Sequence, residues 1–223
     1  MLTGGLVLAA AALAAVAPRL PRLRQRYDSN ALAPIVGKPD ADPGDENLKR
    51  RLAAWVIKGA GNGATFLPWA KPKVPCTLSC ATVAADATLT VRHFGYRLAG
   101  YHQLDERSRL GGILYRIGVQ LRPLAWFLPR RADEPWDDAW LDAVDAARLA
   151  AIARWQPRRP TLIVLDHPAA GITTRVMQAL NFAENNADQP VRLLILGPLS
   201  AAELTALAGQ APLSLDAWPQ RKG

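Results

Sequence analysis

Thr161-Leu162-Ile163-Val164-Leu165 and Val191-Arg192-Leu193-Leu194-Ile195-Leu196 are near-continuous runs of β-branched residues and leucine. Such a run reads as a strand buried on both faces, the situation of a parallel sheet covered on two sides. Residues 173–185 between the two runs read as a helix, and residues 200–208 after them as another. The order is therefore β-α-β-α, which implies right-handed crossovers and ligands at the carboxyl ends of the strands. The predicted fold class is α/β with a parallel-sheet layer. At 223 residues and 24.1 kDa the chain has room for one such domain plus a tail or anchor.

Residues 1–17 carry no charge and are apolar except for Thr3, Gly4 and Gly5. As a helix they would cover about 25 Å, the short end of a bilayer core, so we expect a transmembrane helix here. A cleaved signal peptide is one rival, since Ala15-Val16-Ala17 has the small-x-small form, but no Lys or Arg precedes the apolar run. An ordinary buried helix is the other rival. Arg19, Arg22, Arg24 and Arg26 follow with no acidic residue before Asp28. The positive-inside bias places them, and the domain beyond, on the cytoplasmic side of a single-pass protein of the cytoplasmic membrane.

Charge then separates the possible partners. Lys plus Arg is 27 and Asp plus Glu is 19, a net charge of +8. The four arginines above supply +4 of it, which leaves +4 for the remaining residues and weakens a nucleic-acid reading. The seven tryptophans are not interleaved with arginine in one basic patch, so they read as packing residues rather than a stacking platform for bases. The expected partners are the membrane and a protein or larger complex. Cys76 and Cys80 make a C-x3-C pair, and His93, His102 and His167 show no zinc spacing, so buried free thiols are expected.

Residues 27–46 contain Pro34, Gly37, Pro39 and Pro43 without helical periodicity and read as a linker. The division expected is a transmembrane anchor over 1–17, a basic juxtamembrane segment and linker over 18–50, and the α/β domain over 51–223. Residues 47–56 read as a helix or the lead into a strand. Residues 88–96 alternate as a strand would, and residues 110–128 read as a helix. Residues 136–155 read as the clearest helix, with Asp133, Glu134, Asp137 and Asp138 loading its N-terminal end.

Two features carry candidate chemistry. Gly59-Ala60-Gly61-Asn62-Gly63-Ala64-Thr65 follows the apolar Trp55-Val56-Ile57, and glycines let backbone amides converge on phosphate oxygens. The cluster also reads as a plain turn. The run over Thr161–Asp166 ends on an acid, where a P-loop protein directs a carboxylate at Mg²⁺. Arg158-Arg159-Pro160 with that run, a helix, and then Pro190 with Val191–Leu196 resembles the Walker B half of STAND-type or AAA-like bacterial P-loop NTPases. The resemblance implies a P-loop NTPase-like layer domain, ATP and Mg²⁺ as cofactors, and nucleotide-dependent signalling or assembly. It implies Gly59, Gly61, Gly63, Ala64 and Thr65 as the nucleotide-binding loop, and Thr65 and Asp166 as the metal-side residues. Asp166 and His167 are the candidates for catalysis.

Departures from that pattern point to weak or lost hydrolysis. Ala64 stands where a lysine would neutralise the phosphates, with Lys58, Lys71 or a partner chain the available substitutes. His167 stands where a second acid would activate water, and Pro68, Pro72 and Pro75 interrupt the helix expected after the loop. No G-x-S-x-G motif is present, and Asp166 and His167, adjacent at a strand end, are expected to point apart. The reading is a membrane-tethered nucleotide-sensing or protein-binding module. Its alternatives are a structural subunit of a membrane complex and a competent NTPase with a borrowed lysine. Deleting residues 1–17 should allow an alkaline carbonate wash to release the protein from membranes, whereas the full chain stays in the pellet.

Overall fold

A computed structural model describes residues 27–34, 37–39, 45–57, 78–121, 134–184, 189–206 and 213–215. The expected anchor over 1–17, the arginines that follow it and the glycine cluster over 59–65 lie outside them. Among the described residues no helix is long and apolar enough to cross a membrane.

The chain forms helix α1 (Glu46–Ile57), strand β1 (Ser79–Val83), helices α2 (Thr88–Leu98), α3 (Tyr101–Asp105) and α4 (Arg109–Leu121), and strand β2 (Asp137–Leu141). Then follow α5 (Ala146–Arg154), β3 (Thr161–Asp166), α6 (Ile172–Glu184), β4 (Val191–Leu196), α7 (Ala201–Ala206) and the two-residue β5 (Leu213–Ser214). The strands make one sheet in the order β2-β3-β4-β1-β5, and every pairing is parallel. The α/β parallel layer expected from the two apolar runs is present.

Alternation along the strands builds two cores. Ile163, Leu165, Leu193 and Ile195 face α5 and α6, where they meet Leu149, Ile152, Val176, Met177 and Leu180. Leu162, Val164, Leu194 and Leu196 face the other way and meet Leu52, Trp55 and Val56 of α1 and Val91 of α2. Because successive strand side chains point to opposite faces, burial on both sides requires this uninterrupted apolar pattern. Right-handed crossovers account for the layering. The connections after β2, β3 and β4 all advance in one direction across the sheet and share a face, whereas the connection from β1 to β2 runs the other way and lies on the opposite face.

Arg192 is the charged exception inside β4, fully buried. Its Nε donates to the Val56 carbonyl at 3.2 Å, and its Nη1 donates to the Val191 carbonyl at 3.1 Å. A guanidinium at the carboxyl end of α1 satisfies a carbonyl that the helix leaves open and meets the negative end of its dipole.

Several expectations are corrected here. Residues 88–96 are helical rather than a strand, within α2. Val91, Phe94 and Leu98, spaced i, i+3 and i+7, turn to one core, a row that a helix makes and a strand would split between its two faces. The helix expected over 136–155 divides into β2 and α5. Asp145 caps α5 by accepting from the Arg148 amide at 2.7 Å, so the true helix start lies after the acidic cluster. Of the two readings of residues 47–56, the helix is the one present, as α1, and the glycine cluster over 59–65 comes after it in the chain. Part of the expected linker is docked: Ala31 and Leu32 are buried, and the Trp140 amide donates to the Ala33 carbonyl at 2.9 Å along the free edge of β2.

The two acids of β2 are buried by different means. Asp137 receives a two-pronged contact from Arg158, 2.7 Å from Nε and 3.0 Å from Nη2. Asp138 points to the opposite face and is buried there. Burial, opposed by a backbone hydrogen bond and reinforced by the nearby Asp137 charge, pushes its carboxyl from 3.8 up to about 8. Between those values the folded chain holds a proton that the unfolded chain has released, so stability falls as pH rises. The unfolding free energy of the wild type, read by urea titration, should therefore decline from about pH 4 to about pH 8 by on the order of a few kcal/mol, and Asp138→Asn should flatten that slope.

Candidate functional site

The strand order creates a switch point at the carboxyl edge, since the connections leaving the neighbours β1 and β4 go to opposite faces. Backbone bonds tie the three strand ends there together. The Gly197 amide donates to the Val83 carbonyl at 3.0 Å, and the His167 amide to the Leu196 carbonyl at 3.3 Å. Gly197 has φ +109°, and a side chain on it would contact His167 Cδ2 at 3.9 Å. Glycine there lets β4 end beside the imidazole in a conformation other residues rarely adopt.

Asp166 ends β3 with its side chain 19% exposed, beside a His167 side chain that is 57% exposed. The expectation that the two point apart is overturned: His167 Nδ1 lies 2.6 Å from Asp166 Oδ1. The cause is the left-handed backbone at His167, φ 47°, which turns the chain out of the strand and swings the ring back over the preceding carboxylate. The other oxygen, Oδ2, accepts from Trp140 Nε1 at 3.2 Å, and the Arg92 guanidinium sits 4.9 Å from the centre of the Trp140 ring. The acid is thus held from both sides, and an incoming cation would compete with an indole and an imidazole for its oxygens.

A second cluster locks the neighbouring loops. Ser200 and Glu203 form a capping box on α7, with the Glu203 amide donating to Ser200 Oγ at 3.3 Å and the Ser200 amide to Glu203 Oε2 at 3.1 Å. Glu203 Oε1 reaches further and accepts from the Gly171 amide at 3.1 Å, which joins the loop after β4 to the loop after β3. Burial alone would push the Glu203 carboxyl up, but the donors from Ser200 and Gly171 outweigh it and hold the carboxyl below the usual range.

The structure thus brings Asp166 and His167 together. Gly59, Gly61, Gly63, Ala64 and Thr65 lie outside the described residues. Of the turns at this edge, the one after β1, Ala84-Ala85-Asp86-Ala87, holds an acid and no glycine or lysine, whereas those after β3 and β4 carry Gly171 and Gly197. Among the described residues no three or more of His, Cys, Asp and Glu are grouped to hold a metal ion. Cys80 is a buried thiol, as expected of a structural cysteine, and burial pushes it up to about 12. Trp140 was missed as a partner of Asp166 because residues 136–155 read as one helix. The Ser200-Ala201-Ala202-Glu203 spacing is the sequence signal that finds the second cluster. Compared with known protein families, curated proteins and solved structures, the chain matches none.

Glu203→Ala should lower stability by on the order of 2 kcal/mol, read as a lower urea midpoint at unchanged slope, and Glu203→Gln by less. Because its carboxyl is held low in the folded state, the stabilisation is present above the ordinary carboxylate pKa. It should be lost as pH falls through the lowered value.

Proposed function

We propose that the chain is a membrane-tethered cytoplasmic module whose α/β domain derives from a P-loop NTPase, has lost hydrolysis, and works by binding protein within a larger membrane assembly. One observation carries this reading. At the carboxyl edge the Walker B-like Asp166 is held by Trp140 and His167. The adjacent turn after β1 holds Asp86 and three alanines, with no glycine or lysine. Like charge at that turn opposes a triphosphate. What remains is a parallel α/β layer suited to presenting its surfaces to a partner. Residues 1–17 followed by four arginines support the tether and its orientation.

The full chain, reconstituted in nanodiscs, should neither saturate with ATP or GTP, with or without Mg²⁺, nor release phosphate, and Asp166→Asn should behave the same. Phosphate release that Asp166→Asn abolishes would overturn the reading in favour of a competent NTPase. Saturable binding without turnover would turn it into nucleotide sensing. In that case Ala64→Lys should tighten ATP·Mg²⁺ about tenfold by restoring a charge-assisted contact.

A further inference from the structure

Helix α4 (Arg109–Leu121) leaves an apolar stripe uncovered. Leu110, Ile113, Leu114 and Ile117 are 75%, 53%, 69% and 46% exposed, and their spacing of i, i+3, i+4 and i+7 sets them in one row. The opposite side of the helix is already engaged. Tyr115 lies so close to Gly100 that a side chain at that glycine would come within 2.5 Å of the Tyr115 hydroxyl, and Gly100 itself has φ +77°. The Arg107 guanidinium stacks 4.7 Å from the centre of the Tyr115 ring, and Arg159 Nη2 donates to the Val119 carbonyl at 3.4 Å. With Tyr115 turned to the protein and the Val119 carbonyl held by Arg159, the stripe is directed outward by the way the helix docks.

Charge identifies the occupant. Arg109 and Arg116 lie on one flank of the stripe, about 90° from its centre at 100° per residue. From residue 107 to residue 131 the chain contains Arg107, Arg109, Arg116, Arg122, Arg130 and Arg131 and no acidic residue, with Trp126 and Phe127 among them. An apolar stripe flanked by arginine, in an acid-free and aromatic-bearing segment, is the composition of a helix lying in a membrane interface. Its 13 residues span about 20 Å, too little to cross a bilayer.

We propose that α4 is an interfacial helix that sinks Leu110, Ile113, Leu114 and Ile117 into the headgroup boundary of an anionic bilayer, with its arginines on lipid phosphates. This deepens the membrane-tethered reading and rests on it only for the presence of a bilayer. The α/β domain is then held flat against the membrane rather than swinging on its tether.

The test uses the full chain with Cys76→Ser and Ile113→Cys, the new thiol carrying a bimane label; Cys80 is buried and stays unlabelled. A second preparation carries the label at Leu89→Cys, equally exposed at 55% but on α2. Each is reconstituted in vesicles of phosphatidylcholine alone or mixed with phosphatidylglycerol, with and without brominated acyl chains. Bromolipid should quench the label at position 113 severalfold more in the anionic vesicles than in the neutral ones, and Arg109→Glu with Arg116→Glu should remove the difference. The label at position 89 should stay unquenched. Equal quenching at both positions, or a label at 113 that shifts to the blue without bromolipid quenching, would overturn the proposal, the latter because a protein surface then covers the stripe. Flotation with the neutral vesicles reports the tether separately, so an anchor that fails while position 113 is quenched leaves the helix assignment standing.

Discussion

The pairing of β3 with β4, two parallel strands buried on both faces, sets the terms for every other element. Parallel neighbours cannot be joined by a tight turn, so α6 must cross over between them and cover one face. That leaves Leu162, Val164, Leu194 and Leu196 bare on the other face until α1 and α2 close over them. Burying those residues is the dominant stabilising term of the layer, roughly 25 cal/mol for each Å² of apolar surface removed from water. Arg192 is accommodated in this interior with its guanidinium donating to the carbonyl of Val56 at the end of α1 and to that of Val191.

The same pairing creates the carboxyl edge. Bringing β1 beside β4 aligns the ends of three strands, and the left-handed turn at His167 folds the imidazole onto Asp166. Trp140 arrives from β2 on the far side of β3, an approach that exists only once β2 has joined the sheet. Below, at the other end of β2, Asp137 and Asp138 are one residue apart and face opposite cores. One is neutralised by Arg158, and the other is neutralised by keeping its proton. Alternation alone sends two adjacent, chemically identical side chains into different electrostatic surroundings.

Legibility in the sequence followed the strength of the local pattern. β3, α6, β4 and the start of α7 stand close to where periodicity puts them, because a two-faced strand and a long amphipathic helix have patterns with few competitors. β2 and α2 were misread for opposite reasons. Trp136-Asp137-Asp138-Ala139-Trp140 carries acids that mimic a helix start, whereas residues 88–96 alternate over a stretch too short to separate a period of 2 from one of 3.6. At the edge, Asp166 and His167 were visible as residues at a strand end. Their mutual contact was not, since positive φ is uncommon outside glycine, and the enrichment of histidine among the exceptions is too weak to mark one position.

What the sequence determined by itself was the fold class, the positions of β3 and β4, and the concentration of positive charge over 19–26 and again over 107–131, all properties of residues close together in the chain. The tertiary structure decided the strand order, the joining of Asp166 to Trp140, the reach of Glu203 to Gly171, and the outward direction of the α4 stripe. Each of these relates residues separated by 26 or more positions or depends on which face of a helix the rest of the protein already occupies. Local propensity carries no information about such pairings. They follow from how two-sided burial, right-handed crossovers and the docking of Tyr115 against Gly100 leave only certain surfaces in contact.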